Sequence, residues 1–261
     1  MTSRHPIKAL ILDMDGVLWR DTEPIGDLPA LFKKIDQLDW KTVFVTNNAT
    51  RSVSQYVEKL AAFGVNADQG QIINSGLATA LYLKESYPSG GPVYIIGEVG
   101  LFNSLEEHGF WQSIENPIAV IASLDRELTY QKLKLASTFI RAGVTFLGTN
   151  PDPSLPTPEG YVPGTGAILA ALEAATGRKP IIMGKPAPSM YKIAIDDLQI
   201  EPINALVVGD QMPTDIAAGI EAGCQTALVL TGVSNESTAA SFDYQPTYIA
   251  PNLTQLIDDL K

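Results

Sequence analysis

The sequence is poor in residues that form cross-links and in residues that carry positive charge. Its 261 residues include one cysteine, Cys224, and two histidines, which excludes an intramolecular disulfide framework and a thiolate metal cluster. Lysine and arginine number 18 against 29 aspartates and glutamates, so the formal net charge is −11. This charge repels nucleic acid and anionic membrane surfaces, and neither is an expected partner. A small anionic ligand stays open, because nearby cations and backbone N–H groups act at close range.

Long apolar runs are also missing from the sequence. No stretch approaches the roughly 18 residues that a helix needs to span a bilayer. The N-terminal residues, MTSRHPIKAL, lack the apolar core and cleavage site of a signal peptide. With a single cysteine, these features favour a reducing compartment, and we expect a cytoplasmic protein. Nothing in the sequence decides whether the chain forms a homo-oligomer.

Short runs of valine and isoleucine alternate with longer segments of helical period. This pattern predicts an α/β fold with a doubly wound parallel sheet. The predicted strands in the two outer parts of the chain are Ile7 to Leu12, Thr42 to Thr46, Ala205 to Val208 and Thr226 to Leu230. Each strand ends where polar residues or glycine begin, and open α/β sheets bind their ligands at that end.

The middle of the chain has a second set of strand and helix patterns. The predicted elements are strands at Val93 to Gly97, Ile118 to Ser123 and Val144 to Gly148, and helices at Leu128 to Ala142 and Thr165 to Thr176. The polar motifs described next all lie outside this region, on both sides. We therefore predict a discontinuous core, residues 1–75 and 180–261, with an inserted α/β cap domain at 76–179.

Two polar motifs end predicted strands in the first part of the chain. LDMDGV places Asp13 and Asp15 directly after a strand, where side chains two residues apart point to the same face. VFVTNN ends the next strand with Thr46 and Asn47, which offer a hydroxyl and backbone N–H groups. Alone, the first motif is also compatible with an ordinary turn and the second with a helix N-cap.

Two further motifs lie in the last part of the chain. MGKPAPSMY contains Lys185 between a glycine and two prolines that stiffen the loop, although a lone lysine is normally solvated. VVGDQMPTDIAAG places Asp210 and Asp215 after a strand, with a helix predicted to begin near Thr214. Grouped carboxylate oxygens suit Mg²⁺, whereas acids at this place also cap helices.

The ordered motifs DMDGV, TNN, GKP and GDQMPTD resemble the four motifs of the haloacid dehalogenase superfamily. The resemblance covers the whole chain. The position of the insert and the strings GTNPD and PGTG are similar to the p-nitrophenylphosphatase and phosphoglycolate phosphatase branch with a type-two cap, subfamily IIA. This implies a phosphatase with a Rossmann-like core that uses Mg²⁺ and an aspartyl-phosphate. Its substrates would be p-nitrophenyl phosphate in vitro and small phosphorylated metabolites, such as phosphoglycolate-like, sugar or pyridoxal phosphates.

The resemblance implies which residues form the reacting centre. Asp13 would be the nucleophile, and Asp15 the general acid that protonates the leaving oxygen and then activates water. Mg²⁺ would be held by the Asp13 carboxylate, the Asp15 backbone carbonyl and Asp210.

The resemblance also implies which residues bind the phosphoryl group. Thr46 and the N–H of Asn47 would contact its oxygens, while Lys185 would neutralise charge on the phosphate and on the nucleophile. Asp215 would orient Lys185 or a metal-bound water. The branch often has a basic residue directly after the first aspartate of the last motif, and this chain has Gln211 there.

The proline-rich stretch from Thr149 to Gly166 is predicted to be a long loop of the cap. Within it Asn150, Asp152 and Glu159 are candidate contacts to the leaving group, and an ordinary surface loop is an equally good interpretation.

Three other functions share parts of this pattern. A phosphotransferase or sugar phosphate mutase would use the same aspartyl-phosphate. A receiver domain has similar residues but is much shorter, and a binding protein would retain the fold without turnover. The acid at Asp15 disfavours a dehalogenase, which would need the nucleophile alone.

Overall fold

The computed structural model describes residues 5–157 and 160–261, which form two compact units. The first unit contains the chain up to Thr46, Tyr56–Ile73 and Lys185–Lys261. The second contains Asn47–Gln55 and Asn74–Gly184. The assignment of 76–179 as a cap domain inserted in a catalytic core stays a prediction.

Strands and helices alternate along much of the chain. The strands are β1 (Ala9–Asp13), β2 (Trp19–Arg20), β3 (Glu23–Pro24), β4 (Lys41–Thr46), β5 (Ile72–Asn74), β6 (Gly91–Ile96), β7 (Phe110–Gln112), β8 (Ala119–Ala122), β9 (Thr145–Gly148), β10 (Ser154–Thr157), β11 (Gly160–Pro163), β12 (Ile181–Ile182), β13 (Ala205–Gly209), β14 (Gln225–Val229) and β15 (Tyr248–Ala250). The α-helices are α1 (Leu28–Gln37), α2 (Val53–Ala62), α3 (Ser75–Ser86), α4 (Val99–Glu106), α5 (Tyr130–Arg141), α6 (Thr165–Thr176), α7 (Ser189–Leu198), α8 (Ala217–Glu221), α9 (Glu236–Ala240) and α10 (Leu253–Asp259). Short 3₁₀ helices occur at Gln69–Gln71 and Pro202–Asn204, and a π-helical turn at Met212–Ile216.

The first unit is built on a six-stranded sheet in the order β15-β14-β13-β1-β4-β5. Strand β1 runs parallel to both β13 and β4, with Leu12 opposite Val208 and Asp13 opposite Val45. All five residues of β1, and all five of β13, are buried. A parallel strand covered on both faces is apolar along its length, which explains why these strands could be predicted. Asp13 is the one charged residue of β1, at its carboxyl end.

The first helix shows how local sequence defines the elements around this sheet. Helix α1 begins after Asp27, whose side chain accepts a hydrogen bond from the Ala30 N–H. Pro29 in the first turn does not weaken the helix, because its backbone nitrogen would have no hydrogen-bond partner within the helix. Leu28, Leu31 and Ile35 are the buried residues of α1 and share one face, which packs in the core.

The second unit is built on a five-stranded sheet in the order β12-β9-β8-β6-β7, with parallel neighbours throughout. Val93 and Ile95 of β6 belong to one apolar cluster, with residues of α3 and α4. Tyr94 and Ile96 belong to another, with residues of α5 and α6. Because alternate residues of a strand face opposite sides, helices cover both faces of this sheet. The α/β, doubly wound architecture predicted from the sequence is therefore confirmed.

The proline-rich stretch in the second unit differs from its prediction. The long loop expected from Thr149 to Gly166 contains the antiparallel hairpin of β10 and β11, with Leu155 opposite Val162. Sequence reasoning missed this hairpin because proline removes a ladder donor and weakens every strand signal. The helix predicted to begin near Thr214 starts with a π-helical turn, Met212–Ile216, and continues as α8.

The helices of the second unit follow the sequence closely. Helix α6 has the predicted bounds, and α5 lies inside the predicted range with Thr129 as its N-cap. None of the helices in the described part of the chain combines the length and the apolar character that a bilayer crossing requires.

Candidate active site

Four charged side chains of the first unit form a buried cluster. Asp13 ends β1, Asp210 directly follows β13, Asp215 lies in the π-helical turn and Lys185 precedes α7. None is more than 6% exposed. The Lys185 ammonium donates to Asp13 Oδ1 at 2.5 Å and to Asp215 Oδ1 at 2.6 Å. The structure thus brings together the acids and the lysine that three separate sequence motifs contributed.

Glycines around the cluster make room for the carboxylates. A Cβ on Gly209 would lie 2.1 Å from the Asp215 Cβ, and one on Gly16 would lie 2.7 Å from the Asp210 Cγ. A Cβ on Gly232 would lie 1.8 Å from the Asp210 Oδ2. Backbone therefore approaches both acids more closely than any side-chain-bearing residue would permit.

The cluster has three carboxylates and one ammonium group. Burial raises the pKa of Asp13 well above its usual range, although Lys185 opposes this shift. Burial, reinforced by Asp215, raises the pKa of Asp210 to about 7. Burial acts to lower the pKa of Lys185, but the neighbouring Asp13 and Asp215 outweigh it and raise that pKa well above its usual value. The lysine is therefore a cation, and it is shared by three acidic groups whose full ionisation burial disfavours until another cation binds.

The excess of carboxylates fits a divalent cation. Oxygen atoms of Asp13, Asp210 and Asp215 lie within 4.8 Å of one another. The Asp210 Oδ2 accepts from the Val233 N–H at 2.7 Å, whereas its buried Oδ1 has no hydrogen-bond partner in the described part of the chain. A buried carboxylate oxygen without a partner is costly unless a cation binds it. The donor set contains oxygen alone, which suits Mg²⁺.

Asp215 has contacts that hold it in place. Its Oδ2 accepts from the Gln211 backbone N–H at 3.0 Å, and its Oδ1 lies 3.5 Å from the Tyr191 hydroxyl in addition to the contact with Lys185. Because the contact with Gln211 uses the backbone, it does not depend on which side chain follows Asp210.

Asp15 lies in a tight turn after β1. Gly16, with φ of +86°, donates its N–H to the Trp19 carbonyl at 2.7 Å. The indole Nε1 of Trp19 donates to Asp15 Oδ1, also at 2.7 Å. Trp19 is fully buried and the Lys59 ammonium lies 4.1 Å from its ring centroid. Asp15 is exposed, so it can exchange protons with solvent while the indole fixes one of its oxygens. Sequence reasoning missed Trp19, although its place in DGVLW, four residues after Asp15, was visible.

Thr46 is buried at the carboxyl end of β4, next to β1 in the first sheet. The chain then enters the second unit at Asn47, where its contacts involve two of the predicted loop residues. The Asn47 carbonyl accepts from Asn150 Nδ2 at 2.8 Å, and the Asn47 amide donates to Asp152 Oδ2 at 3.1 Å. Ser75, which sequence reasoning missed, donates its hydroxyl to the same carbonyl at 2.6 Å. Glu159, the remaining candidate, lies outside the described residues.

Similarity to known proteins agrees with this geometry. Residues 10–111 match the model of haloacid dehalogenase-like hydrolases, and residues 182–256 match a related model of the same hydrolases. An acid sugar phosphatase from Staphylococcus aureus is 35% identical over 97% of this chain and 98% of its own length. The crystal structure of 4-nitrophenylphosphatase from Thermotoga maritima superposes with a TM-score of 0.92 at 31% identity, covering 98% of both chains.

A third relative was crystallised with a metal ion. The glycerol phosphate phosphatase from Mycobacterium tuberculosis, in complex with magnesium, has a TM-score of 0.88 at 33% identity, over 96% of this chain and 76% of that one. The similarity therefore extends over nearly all of the chain in each of these comparisons. The chain belongs to the haloacid dehalogenase-like hydrolases, in their subfamily IIA phosphatase branch, as its four motifs predicted.

Proposed function

We propose that this enzyme is a Mg²⁺-dependent phosphomonoesterase that hydrolyses small phosphorylated metabolites through an aspartyl-phosphate on Asp13. One observation carries the proposal: Lys185 bridges Asp13 and Asp215 inside a buried cluster in which an Asp210 oxygen has no hydrogen-bond partner among the described residues. Burial disfavours simultaneous ionisation of all three carboxyl groups while one ammonium is their cation. This arrangement becomes useful where a cation and a phosphate dianion bind together.

Asp13 is the residue that attacks phosphorus. Its Oδ1 accepts a hydrogen bond from Lys185, which fixes the carboxylate, and Oδ2 is the attacking oxygen. In the first step a bond forms between Oδ2 and phosphorus, and the bond from phosphorus to the ester oxygen breaks. Lys185 neutralises charge on both partners, because its own pKa is raised and it stays protonated.

The residues that would hold Mg²⁺ are Asp13 and Asp210 through their side chains and Asp15 through its backbone carbonyl, with Asp215 in the same group of oxygens. When bound, the ion supplies charge neutralisation between the anionic nucleophile and the anionic phosphate.

Asp15 moves the proton in both steps. It donates its proton to the leaving ester oxygen in the first step, so the alcohol departs neutral. In the second step it takes a proton from water, whose oxygen bonds to phosphorus as the bond to Asp13 breaks. The Trp19 indole holds Oδ1 of Asp15, which directs Oδ2 to the transferred proton. Exposure of Asp15 allows exchange with solvent.

The phosphoryl oxygens bind to groups that do not depend on the leaving group. The hydroxyl of Thr46, which ends β4, and the N–H of Asn47, the next residue, serve this role, as the TNN motif implies. The names of the relatives support sugar phosphates and glycerol phosphate as substrates to test first.

The decisive experiment combines turnover with detection of the intermediate. The purified enzyme is assayed with p-nitrophenyl phosphate and Mg²⁺, and the Asp15→Asn variant is quenched in acid during turnover. We expect release of inorganic phosphate by the wild type, and a phosphoryl adduct on the Asp13 peptide of the variant by mass spectrometry. An adduct on any other residue would refute the nucleophile. Transfer to an added alcohol in place of water would indicate a phosphotransferase.

A panel of metabolites then ranks the substrates by kcat/KM. The panel contains sugar phosphates, glycerol phosphate, phosphoglycolate and pyridoxal phosphate. Sugar and glycerol phosphates ranking below both others would contradict the suggestion taken from the relatives.

A further inference from the structure

Asn47 lies at the centre of a hydrogen-bonded group in the second unit. Its carbonyl accepts from Ser75 Oγ at 2.6 Å and from Asn150 Nδ2 at 2.8 Å. Its side-chain amide donates to Asp152 Oδ2 at 3.1 Å. Both the backbone and the side chain of Asn47 are therefore held by residues distant in sequence, two of them from the GTNPD string.

The residues that hold Asn47 belong to a buried part of the second unit. Ser75 and Thr149 are fully buried and Asn150 is 6% exposed. The Thr149 N–H donates to the Ala122 carbonyl at 3.0 Å, which ties the GTNPD string to β8. A loop anchored to a sheet in this way can position another residue with little freedom.

Gly184, the residue before Lys185, packs into the same group. A Cβ at this position would lie 2.5 Å from the Asn47 Oδ1 and 2.5 Å from the Thr149 carbonyl oxygen. The Gly184 N–H donates to that carbonyl at 2.8 Å. The glycine of the GKP motif is thus explained by the close approach of Asn47 and Thr149.

Asn150 and Asp152 have different hydrogen-bonding requirements: Asn150 must donate and accept, whereas Asp152 must only accept from Asn47. Asn150 donates from Nδ2 to the Asn47 carbonyl, and its Oδ1 accepts from the Asp152 N–H at 3.2 Å. An aspartate at this position could not do both, because an ionised carboxylate has no donor. Asp152 acts toward Asn47 as an acceptor only, a role that the amide oxygen of asparagine also fulfils.

We infer that Asn150 and Asp152 are positioning residues for the phosphoryl group, acting through Asn47, and do not contact the leaving group. The inference rests on the proposed function, in which the N–H of Asn47 binds a phosphoryl oxygen. With its carbonyl and side chain both held, Asn47 has a fixed backbone conformation, and its N–H is presented in one direction. Preorganised donors of this kind stabilise a transferring phosphoryl group without reorganisation cost.

Three variants test these hydrogen-bonding requirements: Asn150→Asp removes the donor at 150, Asp152→Ala removes the acceptor at 152, and Asp152→Asn keeps an acceptor there. Each is assayed with p-nitrophenyl phosphate and glycerol phosphate, whose leaving groups have little in common. Inhibition by inorganic phosphate is measured too, because this probe has no leaving group. We expect Asn150→Asp and Asp152→Ala to lower kcat/KM for both esters by the same factor, roughly tenfold or more, and to raise the Ki of phosphate. Asp152→Asn should remain within about threefold of the wild type.

Thermal unfolding separates positioning from loss of fold, and Tyr130→Ala, at a residue 83% exposed in the second unit, is the matched control. If Asn150→Asp does not fold, the comparison of Asp152→Ala with Asp152→Asn still tests whether the acceptor at position 152 positions Asn47. Unequal factors for the two esters with an unchanged Ki of phosphate would overturn the inference in favour of leaving-group contacts. Equal losses in Asp152→Asn and Asp152→Ala would overturn it as well. Failure of the proposed function is seen earlier, as a wild type that hydrolyses neither ester.

Discussion

The two units each contain a parallel sheet whose strands end in polar residues, but the charges at the two sheet edges differ. In the first unit Asp13, Asp210 and Asp215 have Lys185 as their only ammonium partner among the ion pairs of the described residues. In the second unit the buried Asp125, after β8, pairs with Lys132 at 2.7 Å. A parallel sheet offers its carboxyl edge for chemistry, and the side chains there decide whether chemistry occurs.

Polar residues at the second edge form ion pairs and hydrogen bonds with one another. Asp125 also accepts from the Glu127 N–H at 2.9 Å, and both carboxylate oxygens of Glu98 accept from Arg126 Nη1 at 2.8 Å. Asp125 and Glu98 each have a cation opposite them. The first edge, in contrast, raises the pKa of Asp13 and Asp210 by burial and retains an Asp210 oxygen without a partner in the described residues. Unbalanced charge therefore distinguishes the buried cluster of the first unit from these ion pairs of the second.

The largest expected effect comes from exchanging a carboxylate for an amide at each edge. Asp13→Asn should lower kcat by at least about a thousandfold, because the amide is nearly isosteric but does not attack phosphorus. Asp125→Asn should leave kcat close to the wild type and lower the free energy of unfolding by about 1–2 kcal/mol, since Lys132 is partly exposed. Steady-state kinetics and urea unfolding measure the two quantities.

The opposite pattern of effects in these two variants would contradict the difference proposed between the two sheet edges. Substantial turnover by a folded Asp13→Asn preparation, free of wild-type enzyme, would eliminate the nucleophile. A large loss of kcat in a stable Asp125→Asn variant would show that the ion pair of Asp125 with Lys132 takes part in the reaction.

Removal of the metal ion should have the next largest effect. We expect chelation by EDTA to lower activity by at least about a hundredfold and Mg²⁺ to restore it. Ca²⁺ should inhibit, because its looser coordination allows both Asp13 oxygens to be captured. Mg²⁺ should also raise the Tm of the wild type and of Asp125→Asn, but not of Asp210→Asn. Full activity after exhaustive chelation, or an unchanged Tm shift in Asp210→Asn, would contradict the proposed metal site.

Sequence reasoning found the first edge because its residues lie at the ends of apolar strands. Asp13 and Asp210 follow β1 and β13, which are buried on both faces and read as continuous apolar runs. The contact of Asn47 with Asn150 was not predictable, because it joins residues 103 positions apart and depends on tertiary packing. The hydrogen bond of Trp19 to Asp15 spans only four residues, but a tryptophan in an apolar stretch is more often read as core.

A smaller effect is expected from Trp19, the residue that holds Asp15. Trp19→Phe keeps an aromatic ring and removes the donor to the Asp15 carboxylate, so kcat should fall roughly tenfold, the value of one hydrogen bond to a charged group. Trp111→Phe, at a residue 53% exposed on β7 of the second unit, is the matched control and should change nothing. The kcat of both variants is measured with p-nitrophenyl phosphate. An unchanged kcat in Trp19→Phe would mean that Asp15 is oriented without the indole.

The smallest expected effect concerns the reactivity of Cys224, which lies in the first unit and reports on that unit alone. It is the single cysteine of the chain and is 8% exposed, and burial raises its pKa to about 12. At pH 8 the native thiol is therefore protonated and should react slowly with a disulfide reagent such as DTNB, and at the usual rate in urea. Mg²⁺ should slow the reaction of the native thiol further, because ligand binding stabilises the folded state of the first unit. Asp125→Asn should leave that rate unchanged, since it weakens the core of the second unit. Rapid modification of the native wild type would contradict the burial of Cys224, and acceleration by Asp125→Asn would show that the two units open together.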